Sequence, residues 1–208
     1  MAFVHLHNHT EYSMLDGATK IKDMVRRAAD LDMPAVAITD HGVMCGVPEL
    51  CDACDAVEKE TGKRVKPIYG CEIYFTEDPE VGTKNKSRLY HMLLLAKNNV
   101  GYHNLVHLVS ESHVDNFYYK PRTTFDMLQR YSEGVIAASA CIAGIIPRYI
   151  DARDYEGARE WARKFADLYA PGDFYLELQD HGITTNGGMT QYEMNVELVK
   201  IANELGLK

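Results

Sequence analysis

The sequence predicts an α/β fold in which a parallel sheet has helices outside it. Strand-like and helix-like segments alternate along the 208 residues, which is the pattern of successive βα units. The strand-like segments are apolar runs without regular polar alternation, as expected for strands that are covered on both faces. The length fits one large domain or at most two small ones, because domains usually have roughly 100–200 residues.

The first part of the chain contains three strand-like segments and two helix-like segments. The strands are expected at 3–9, 34–40 and 65–75. The apolar stripe from Ile21 to Ala28, with the spacing i, i+3, i+4 and i+7, predicts the first helix. The second helix is expected over 47–62 and should end at Gly62. The polar stretch 76–88 is the strongest loop candidate.

The second part of the chain continues the alternation. Strands are expected at 90–97, 134–140 and 173–179, and helices at 104–112, 154–169 and 189–206. In the last helix we expect the apolar residues to face the sheet, and Gly206 to terminate the helix. These apolar residues are Met189, Tyr192, Val196, Val199 and Leu205.

The composition argues against several classes of function. With 22 basic and 30 acidic side chains the formal charge is −8, which disfavours a broad nucleic-acid clamp but not a small pocket for one strand end. The N-terminus lacks the pattern of a signal peptide, and no apolar run approaches the length of a membrane span. Five cysteines, an odd number, favour a reducing cytoplasm over a disulfide framework. We therefore expect a cytoplasmic protein without a membrane partner.

The first strand carries three of the nine histidines. His5, His7 and His9 alternate along it, so their side chains point to one face of the strand. Asp16 lies in the turn that follows. Imidazole and carboxylate groups are ligands of Zn²⁺, Mn²⁺ and Fe²⁺. The alternative interpretation is a histidine-rich strand face without a metal.

The later strands favour the metal interpretation, because each carries one more residue of ligand type. His41 ends the second strand, Glu72 lies on the third, His91 begins the fourth and Cys141 ends the fifth. In a barrel of parallel strands such residues collect at one face. Asp40 either supports a ligand histidine through a hydrogen bond or caps the helix that follows.

One basic pair lies beside a cluster of aromatic residues. Lys120 and Arg122 follow Phe117, Tyr118 and Tyr119. Aromatic stacking combined with cationic contacts is how proteins hold single-stranded nucleic acid, so the pair is a candidate substrate contact. The alternative interpretation is that this loop packs over the mouth of the barrel.

Two further motifs are weaker signals of function. His181 lies in a second Asp-His-Gly sequence and is a candidate for lining the cleft or supporting a ligand. Cys51 and Cys54 have the spacing of a zinc knuckle, but no second pair of ligands follows them. One helical turn separates the two cysteines, which favours packing over metal binding.

Seven segments, in order, resemble the PHP (polymerase and histidinol phosphatase) domain family. They are HLHNHTEYSMLDGA, ITDHG, GCEIYF, YHMLLLAKN, FYYKPR, SACIAG and LELQDHG. More narrowly, they resemble the PHP domains at the N-termini of bacterial replicative DNA polymerase III alpha subunits. The resemblance covers essentially the whole chain.

The resemblance implies a distorted (β/α)7 barrel that binds up to three divalent metal ions (Zn, Mn or Fe). Matched position by position, the implied ligands are His7, His9, Asp16, His41, Glu72, His91 and Cys141. The family uses nine ligands, and the last two form an Asp-x-His pair on the closing strand of the barrel. The chain ends at Lys208, where that strand would begin. The resemblance therefore implies that 1–208 is a PHP domain truncated before its last strand, without the polymerase core.

The resemblance also implies a function in DNA replication. The domain would hydrolyse phosphodiesters by metal-activated water and would remove nucleotides from a DNA 3′ end, as a 3′→5′ proofreading exonuclease. It would be part of a polymerase, which is a nucleotidyltransferase. The alternative is a non-catalytic module that stabilises the rest of the polymerase chain and docks a separate proofreading exonuclease subunit. A stand-alone phosphatase is a third possibility that the polymerase-type segments disfavour.

Overall fold

The computed structural model describes residues 3–14, 16–78 and 88–208. The chain forms two compact units, of which unit 1 ends at Ile73 and unit 2 begins at Tyr74. Most of the loop predicted at 76–88 lies outside the described residues. Among the helices of the described ranges, none combines the length and the apolar character that a membrane span needs.

Unit 1 contains two helices and two strands in the predicted order. They are α1 (Ile21–Asp30), β1 (Ala35–Ile38), α2 (Val47–Thr61) and β2 (Lys66–Phe75), the last two residues of which belong to unit 2. β1 is buried at all four positions and pairs with β2 in parallel, from Ala35 opposite Lys66 to Ile38 opposite Tyr69. This burial is the reason that β1 shows no polar alternation.

The predicted first strand, 3–9, is extended but does not form a regular strand. Its backbone carbonyls at His5 and Asn8 accept hydrogen bonds from the amides of Ala37 and Thr39, at 3.2 and 2.9 Å. Side chains complete the pairing, because the Asn8 amide donates to the Ala37 carbonyl and the Thr39 hydroxyl donates to the Asn8 carbonyl. The segment thus runs along β1 through a mixture of backbone and side-chain bonds.

The helices of unit 1 follow the predicted stripes. In α1 the buried residues are Ile21, Val25, Ala28 and Ala29. α2 ends as predicted, because Gly62 adopts a left-handed conformation with φ of +72° and its amide donates to the Glu58 carbonyl. Both helices therefore present one apolar face to the core of the unit.

Unit 2 contains more elements than the sequence analysis predicted. They are β3 (Tyr90–Ala96), α3 (Asn99–Val114), β4 (Phe117–Tyr118), β5 (Lys120–Thr123), α4 (Phe125–Arg130), β6 (Val135–Ala138), α5 (Ile145–Asp151), α6 (Tyr155–Leu168), β7 (Phe174–Tyr175) and α7 (Gln191–Leu205). The predictions did not include β4, β5, α4 and α5, which are all seven residues or shorter. Such segments are too short to show a hydrophobic period.

The strand pairing in unit 2 is mixed, so the prediction of a purely parallel sheet was wrong. β3 pairs with β6 and β4 with β5 in antiparallel fashion, whereas β6 pairs with β7, and Tyr74 and Phe75 of β2 pair with β5, in parallel. β4 and β5 form a tight hairpin around Tyr119, which has a φ of +58°. Alternation of strands and helices identifies the strands, but it does not fix the direction in which each strand enters the sheet.

An aromatic cluster forms part of the core of unit 2. The ring centroid of Phe165 on α6 lies 5.5 Å from that of Phe75 and 5.7 Å from that of Phe174, and all three side chains are buried. Burial of aromatic side chains of this size is among the largest apolar contributions to folding. It anchors α6 against the ends of β2 and β7.

The final helix buries a different face from the one predicted. Met189 is buried, but it precedes α7, while Tyr192 is 76% exposed and Val196 and Val199 are also exposed. The buried residues of α7 are Gln191, Met194, Leu198 and Ile201. A capping box between Thr190 and Glu193 fixes where the helix starts, and tertiary packing decides which of its apolar stripes turns inward. Gly206 terminates the helix as predicted, with a φ of +68°.

Candidate metal centre

Unit 1 brings the side chains of three predicted histidine ligands to a single carboxylate oxygen. The Glu72 side chain is 1% exposed, and its Oε2 lies 2.7 Å from His9 Nε2, 3.1 Å from His7 Nε2 and 3.3 Å from His41 Nδ1. His41 and Glu72 are placed side by side by a parallel bridge that extends the pairing of β1 and β2. The sheet register therefore fixes two of these four donors.

A second carboxylate completes the group in unit 1. Asp16 Oδ2 lies 2.7 Å from His9 Nδ1 and 3.0 Å from His41 Nε2. Together the five residues form two overlapping triads of potential metal-binding atoms, in which the atoms lie within 4.8 Å of one another. The triads are His7, His9 and Glu72, and His9, Asp16 and His41.

The donor set of unit 1 fits divalent metal ions. His9 directs both ring nitrogens at carboxylates, yet a neutral imidazole carries only one N–H. Without a cation, the His9 ring must be protonated twice to donate in both directions. A divalent ion takes the lone pair of a neutral imidazole and binds the carboxylate as well, so it satisfies the same atoms without that protonation. Imidazole with carboxylate is a ligand set for Zn²⁺, Mn²⁺ or Fe²⁺.

The charges of the two carboxylates alter the acid–base properties of the group. Burial lowers the pKa of His9, but hydrogen bonds and charge attraction from Glu72 and Asp16 outweigh it, so the pKa is raised overall. Partial burial raises the pKa of Asp16, but a hydrogen bond with Ser13 and the charges of His9 and His41 lower it overall. Both effects favour ions of opposite charge at one place.

Asp40 links two ligand segments by a route that the sequence did not indicate. Its carboxylate is buried and accepts hydrogen bonds from the Thr10 amide at 2.6 Å and from the Thr10 hydroxyl at 2.9 Å. Burial raises the pKa of Asp40 and the bonds from Thr10 oppose this increase. The helix-capping alternative was wrong, because Gly46 precedes α2 and no side chain caps that end. These bonds thus tie Thr10, the residue after His9, to Asp40, the residue before His41.

Two residues that position ligands in unit 1 were missed by the sequence analysis. The Ser13 hydroxyl accepts a hydrogen bond from the His41 amide at 3.2 Å, and Thr10 is held by Asp40. Gly17 follows Asp16 in a turn where an added Cβ would lie 1.8 Å from the Thr10 carbonyl oxygen. The signal was present in the small polar residues that follow the histidine pair, because such residues bond to nearby backbone groups.

Unit 2 pairs the remaining two predicted ligands. Cys141 Sγ lies 3.5 Å from His91 Nδ1, and both side chains are half-buried. The His91 amide donates to the Ala143 carbonyl at 3.1 Å, and the Ala143 amide donates to Cys141 Sγ at 3.4 Å. Ala140 has a φ of +58°, so a strained residue immediately precedes the thiol. An imidazole and a thiol so placed are a donor pair for Zn²⁺.

The basic residues of the hairpin in unit 2 differ in their surroundings. Lys120 Nζ donates a hydrogen bond to the Tyr74 hydroxyl at 3.2 Å and is half-buried. Arg122 is only 5% exposed, its Nε donates to the Tyr118 carbonyl at 3.4 Å, and its guanidinium lies over the Tyr118 ring. These contacts match the packing interpretation for Arg122, whereas the side chain of Lys120 remains partly accessible to solvent.

The contacts described for the other histidine and cysteine candidates are made outside these donor groups. His5 is exposed and contacts the ring of Phe3, so it does not join His7 and His9 as the alternation suggested. The side chain of His181 is exposed, and its amide donates to Gln191 Oε1 at 2.6 Å. Cys54 is buried, and burial raises the pKa of its thiol to about 11, as expected for a packing role.

The chain is similar to known proteins along most of its length. A family model described as "PHP domain" matches residues 5–181. The chain is 42% identical to a DNA polymerase III subunit alpha of Borreliella burgdorferi over 99% of its own length, and 37% identical to that of Helicobacter pylori over 100%. It spans 17% of the length of each of these relatives.

One solved structure has a comparable fold. It comes from Bifidobacterium adolescentis and is provisionally described as a metal-dependent phosphoesterase. The TM-score is 0.50 at 16% sequence identity, and the match covers 98% of this chain and 83% of the other. The likeness concerns the fold, and it confirms the predicted α/β class.

Proposed function

Because the chain belongs to the PHP domain family and matches DNA polymerase III alpha subunits along its length, we propose that it hydrolyses phosphodiesters with divalent metal ions. The substrate is the 3′ end of DNA, and the reaction is 3′→5′ exonuclease proofreading. The observation that carries this proposal is the approach of three histidine nitrogens to Glu72 Oε2 within 3.3 Å. A divalent cation among these donors would satisfy them without double protonation of the histidines.

The proposed metal ligands are the seven that the family resemblance implied. They are His7, His9, Asp16, His41, Glu72, His91 and Cys141. When bound, Zn²⁺, Mn²⁺ or Fe²⁺ supplies Lewis-acid chemistry, which lowers the pKa of water and neutralises charge on a phosphodiester. The imidazoles serve as neutral ligands, and one carboxylate oxygen of Glu72 lies close to the rings of His7, His9 and His41. Asp40 holds Thr10 and thereby keeps the segments of His9 and His41 together.

Substrate contacts are proposed for the hairpin of unit 2. The Lys120 ammonium binds a phosphate of the DNA strand, because it is cationic and reaches the surface beside an aromatic hydroxyl. Arg122 supports the same loop from inside by its contact with Tyr118. His181 lines the approach to the site.

The rest of a polymerase chain is the proposed physical partner, and nucleotidyl transfer during DNA replication is the activity of that chain. The proposed location is the reducing cytoplasm, which agrees with the five free cysteines. The alternative to catalysis is a structural module that docks a separate proofreading exonuclease subunit. The full set of seven ligand residues favours catalysis over this alternative, because a purely structural role does not need them.

The test compares two histidine variants in the intact polymerase subunit that contains this chain. His9→Ala removes a residue that contacts both carboxylates, whereas His5→Ala changes an exposed histidine on the same segment. His9→Ala should slow metal-dependent shortening of single-stranded DNA by at least about 100-fold, because even residues around metal ligands change activity by 10–100-fold. His5→Ala should retain the rate. Equal rates in both variants, or no shortening by the unmodified subunit after metal addition, would favour the structural module.

A further inference from the structure

A line of contacts in unit 2 connects the basic hairpin to a proposed metal ligand. The Lys120 ammonium donates to the Tyr74 hydroxyl at 3.2 Å and lies 4.9 Å from the centre of the Tyr74 ring. The Tyr74 ring in turn meets the His91 ring edge to face, with centroids 5.5 Å apart and an angle of 79° between the planes. Tyr74 therefore contacts the candidate substrate-binding residue Lys120 through its hydroxyl and the candidate metal ligand His91 through its ring.

We propose that Tyr74 is a positioning residue that orients Lys120 for phosphate and His91 for metal. This inference rests on the proposed function and adds a residue to it. Tyr74 lies near the end of β2, opposite Arg122 of β5, and is 8% exposed. Because the strand pairing fixes its backbone and the surroundings enclose its ring, Tyr74 is a rigid reference for both neighbours.

The hydroxyl of Tyr74 acts on Lys120. A lysine side chain has many rotamers and loses much conformational entropy when it is held in one place. The bond to the hydroxyl confines the ammonium before a phosphate arrives, so less freedom is lost on binding. The ammonium has three N–H donors, and two remain for phosphate oxygens after one donates to Tyr74.

The ring of Tyr74 acts on His91. The His91 backbone is held by its amide bond to Ala143, but that bond leaves rotation of the imidazole free. The edge-to-face contact with Tyr74 limits this rotation and keeps Nδ1 directed at Cys141 Sγ, 3.5 Å away. Ligand orientation by neighbouring side chains commonly changes metal affinity by 10–100-fold.

The two roles are separable by substitution. Tyr74→Phe removes the hydroxyl and keeps the ring, so it should affect Lys120 alone. Tyr74→Leu removes both the hydroxyl and the flat aromatic face, so it should affect Lys120 and His91. A residue that only filled space would not produce this separation.

The metal readout is the absorption of Co²⁺ added to the 208-residue chain, since a cobalt–thiolate bond gives an intense near-ultraviolet band. The unmodified chain and Tyr74→Phe should show this band with the same Co²⁺ affinity, and Tyr74→Leu should need at least about tenfold more Co²⁺. Cys141→Ser identifies the band by abolishing it. Equal Co²⁺ affinity in Tyr74→Leu and the unmodified chain overturns the proposal. Absence of the band from the unmodified chain instead contradicts Cys141 as a ligand, and therefore the proposed function.

The substrate readout is binding of a ten-nucleotide oligothymidylate to the metal-loaded chain, measured as a double-mutant cycle. Tyr74→Phe and Lys120→Met should each weaken binding, with Tyr74→Phe costing about threefold to tenfold, the range of one net hydrogen bond. In the double variant Tyr74→Phe should add almost nothing to Lys120→Met, because both changes remove the same contact. Additive effects overturn the proposal. The binding cycle tests the proposal even if Tyr74→Leu fails to fold, because Tyr74→Phe preserves the packed ring.

Discussion

The ligand residues of unit 1 and those of unit 2 are held by different kinds of contact. In unit 1, one oxygen of Glu72 lies within 3.3 Å of nitrogens on three histidines, and Asp16 faces two of the same rings. In unit 2, His91 is held by an aromatic ring and a backbone amide, and Cys141 follows a strained residue. The contacts described in unit 1 therefore balance charges, whereas those described in unit 2 are contacts of shape and backbone geometry.

This difference determines which substitutions each group tolerates. A group held by opposite charges fails when one charge is removed, even if the shape is preserved, since buried charges must be compensated. A group held by packing and backbone geometry fails when a shape changes, even if no charge changes. Substitutions that change a charge without changing shape, and substitutions that change backbone geometry without changing charge, separate the two cases.

The largest effect is expected from removing the central charge of unit 1. Glu72→Gln keeps the size of the side chain but removes the negative charge that three histidines face. Affinity for Zn²⁺ in unit 1 should fall by at least about 100-fold, because an anionic ligand is lost and residues around ligands alone change affinity by 10–100-fold. Isothermal titration calorimetry, with elemental analysis after dialysis, measures the change.

The matched control is Glu49→Gln, the same chemical change at a residue of unit 1 that bonds to the Tyr12 hydroxyl. It should bind the same amount of Zn²⁺ as the unmodified chain. Unchanged affinity and stoichiometry in Glu72→Gln would mean that charge does not organise unit 1.

The residues that gather around Glu72 could be named from the sequence, whereas the bonds that position them could not. His7, His9, His41 and Glu72 lie at strand-like segments with ligand chemistry, and a local pattern is enough to identify them. The bond from Thr10 to Asp40 joins residues thirty positions apart, and no local sequence pattern predicts such a contact. Long-range pairs of this kind depend on the register of the folded chain.

The same limit explains the errors in unit 2. The apolar spacing in 189–206 identified a helix, but two apolar stripes run along it, and packing buries the stripe of Met194, Leu198 and Ile201 and leaves Val196 and Val199 exposed. Lys120 and Arg122 are both basic neighbours of aromatic residues in the sequence, yet one is half-buried and the other fully buried. Side chains at alternate strand positions share a face, so the alternation alone does not predict which of the two is buried.

An intermediate effect is expected from the buried bond that joins the ligand segments of unit 1. Thr10→Val preserves the shape but leaves the buried Asp40 carboxylate with one hydrogen-bond donor fewer. The free energy of unfolding should fall by about 1–3 kcal/mol, the cost of an unsatisfied buried acceptor. Urea denaturation in the presence of a chelator measures this loss without the contribution of bound metal.

Thr10→Ser supplies the control, because it keeps the hydroxyl and deletes only a methyl group. It should recover most of the lost stability. If Ser and Val destabilise the chain equally, the methyl group rather than the hydroxyl is what matters, and the bond to Asp40 contributes little.

The smallest effect is expected at the strained residue of unit 2, where stability and metal binding should change in opposite directions. Ala140 has a φ of +58°, a conformation that costs non-glycine residues about 1–2 kcal/mol. Ala140→Gly relieves this strain but adds backbone entropy to the unfolded chain, worth about 0.5–1 kcal/mol. The net stabilisation should therefore be about 1 kcal/mol or less, measured by urea denaturation.

Because glycine also frees the backbone next to Cys141, Co²⁺ binding at the thiolate should weaken slightly. If Co²⁺ affinity instead rises together with stability, the strain opposes the ligand geometry, and the view that shape organises unit 2 is wrong at this residue.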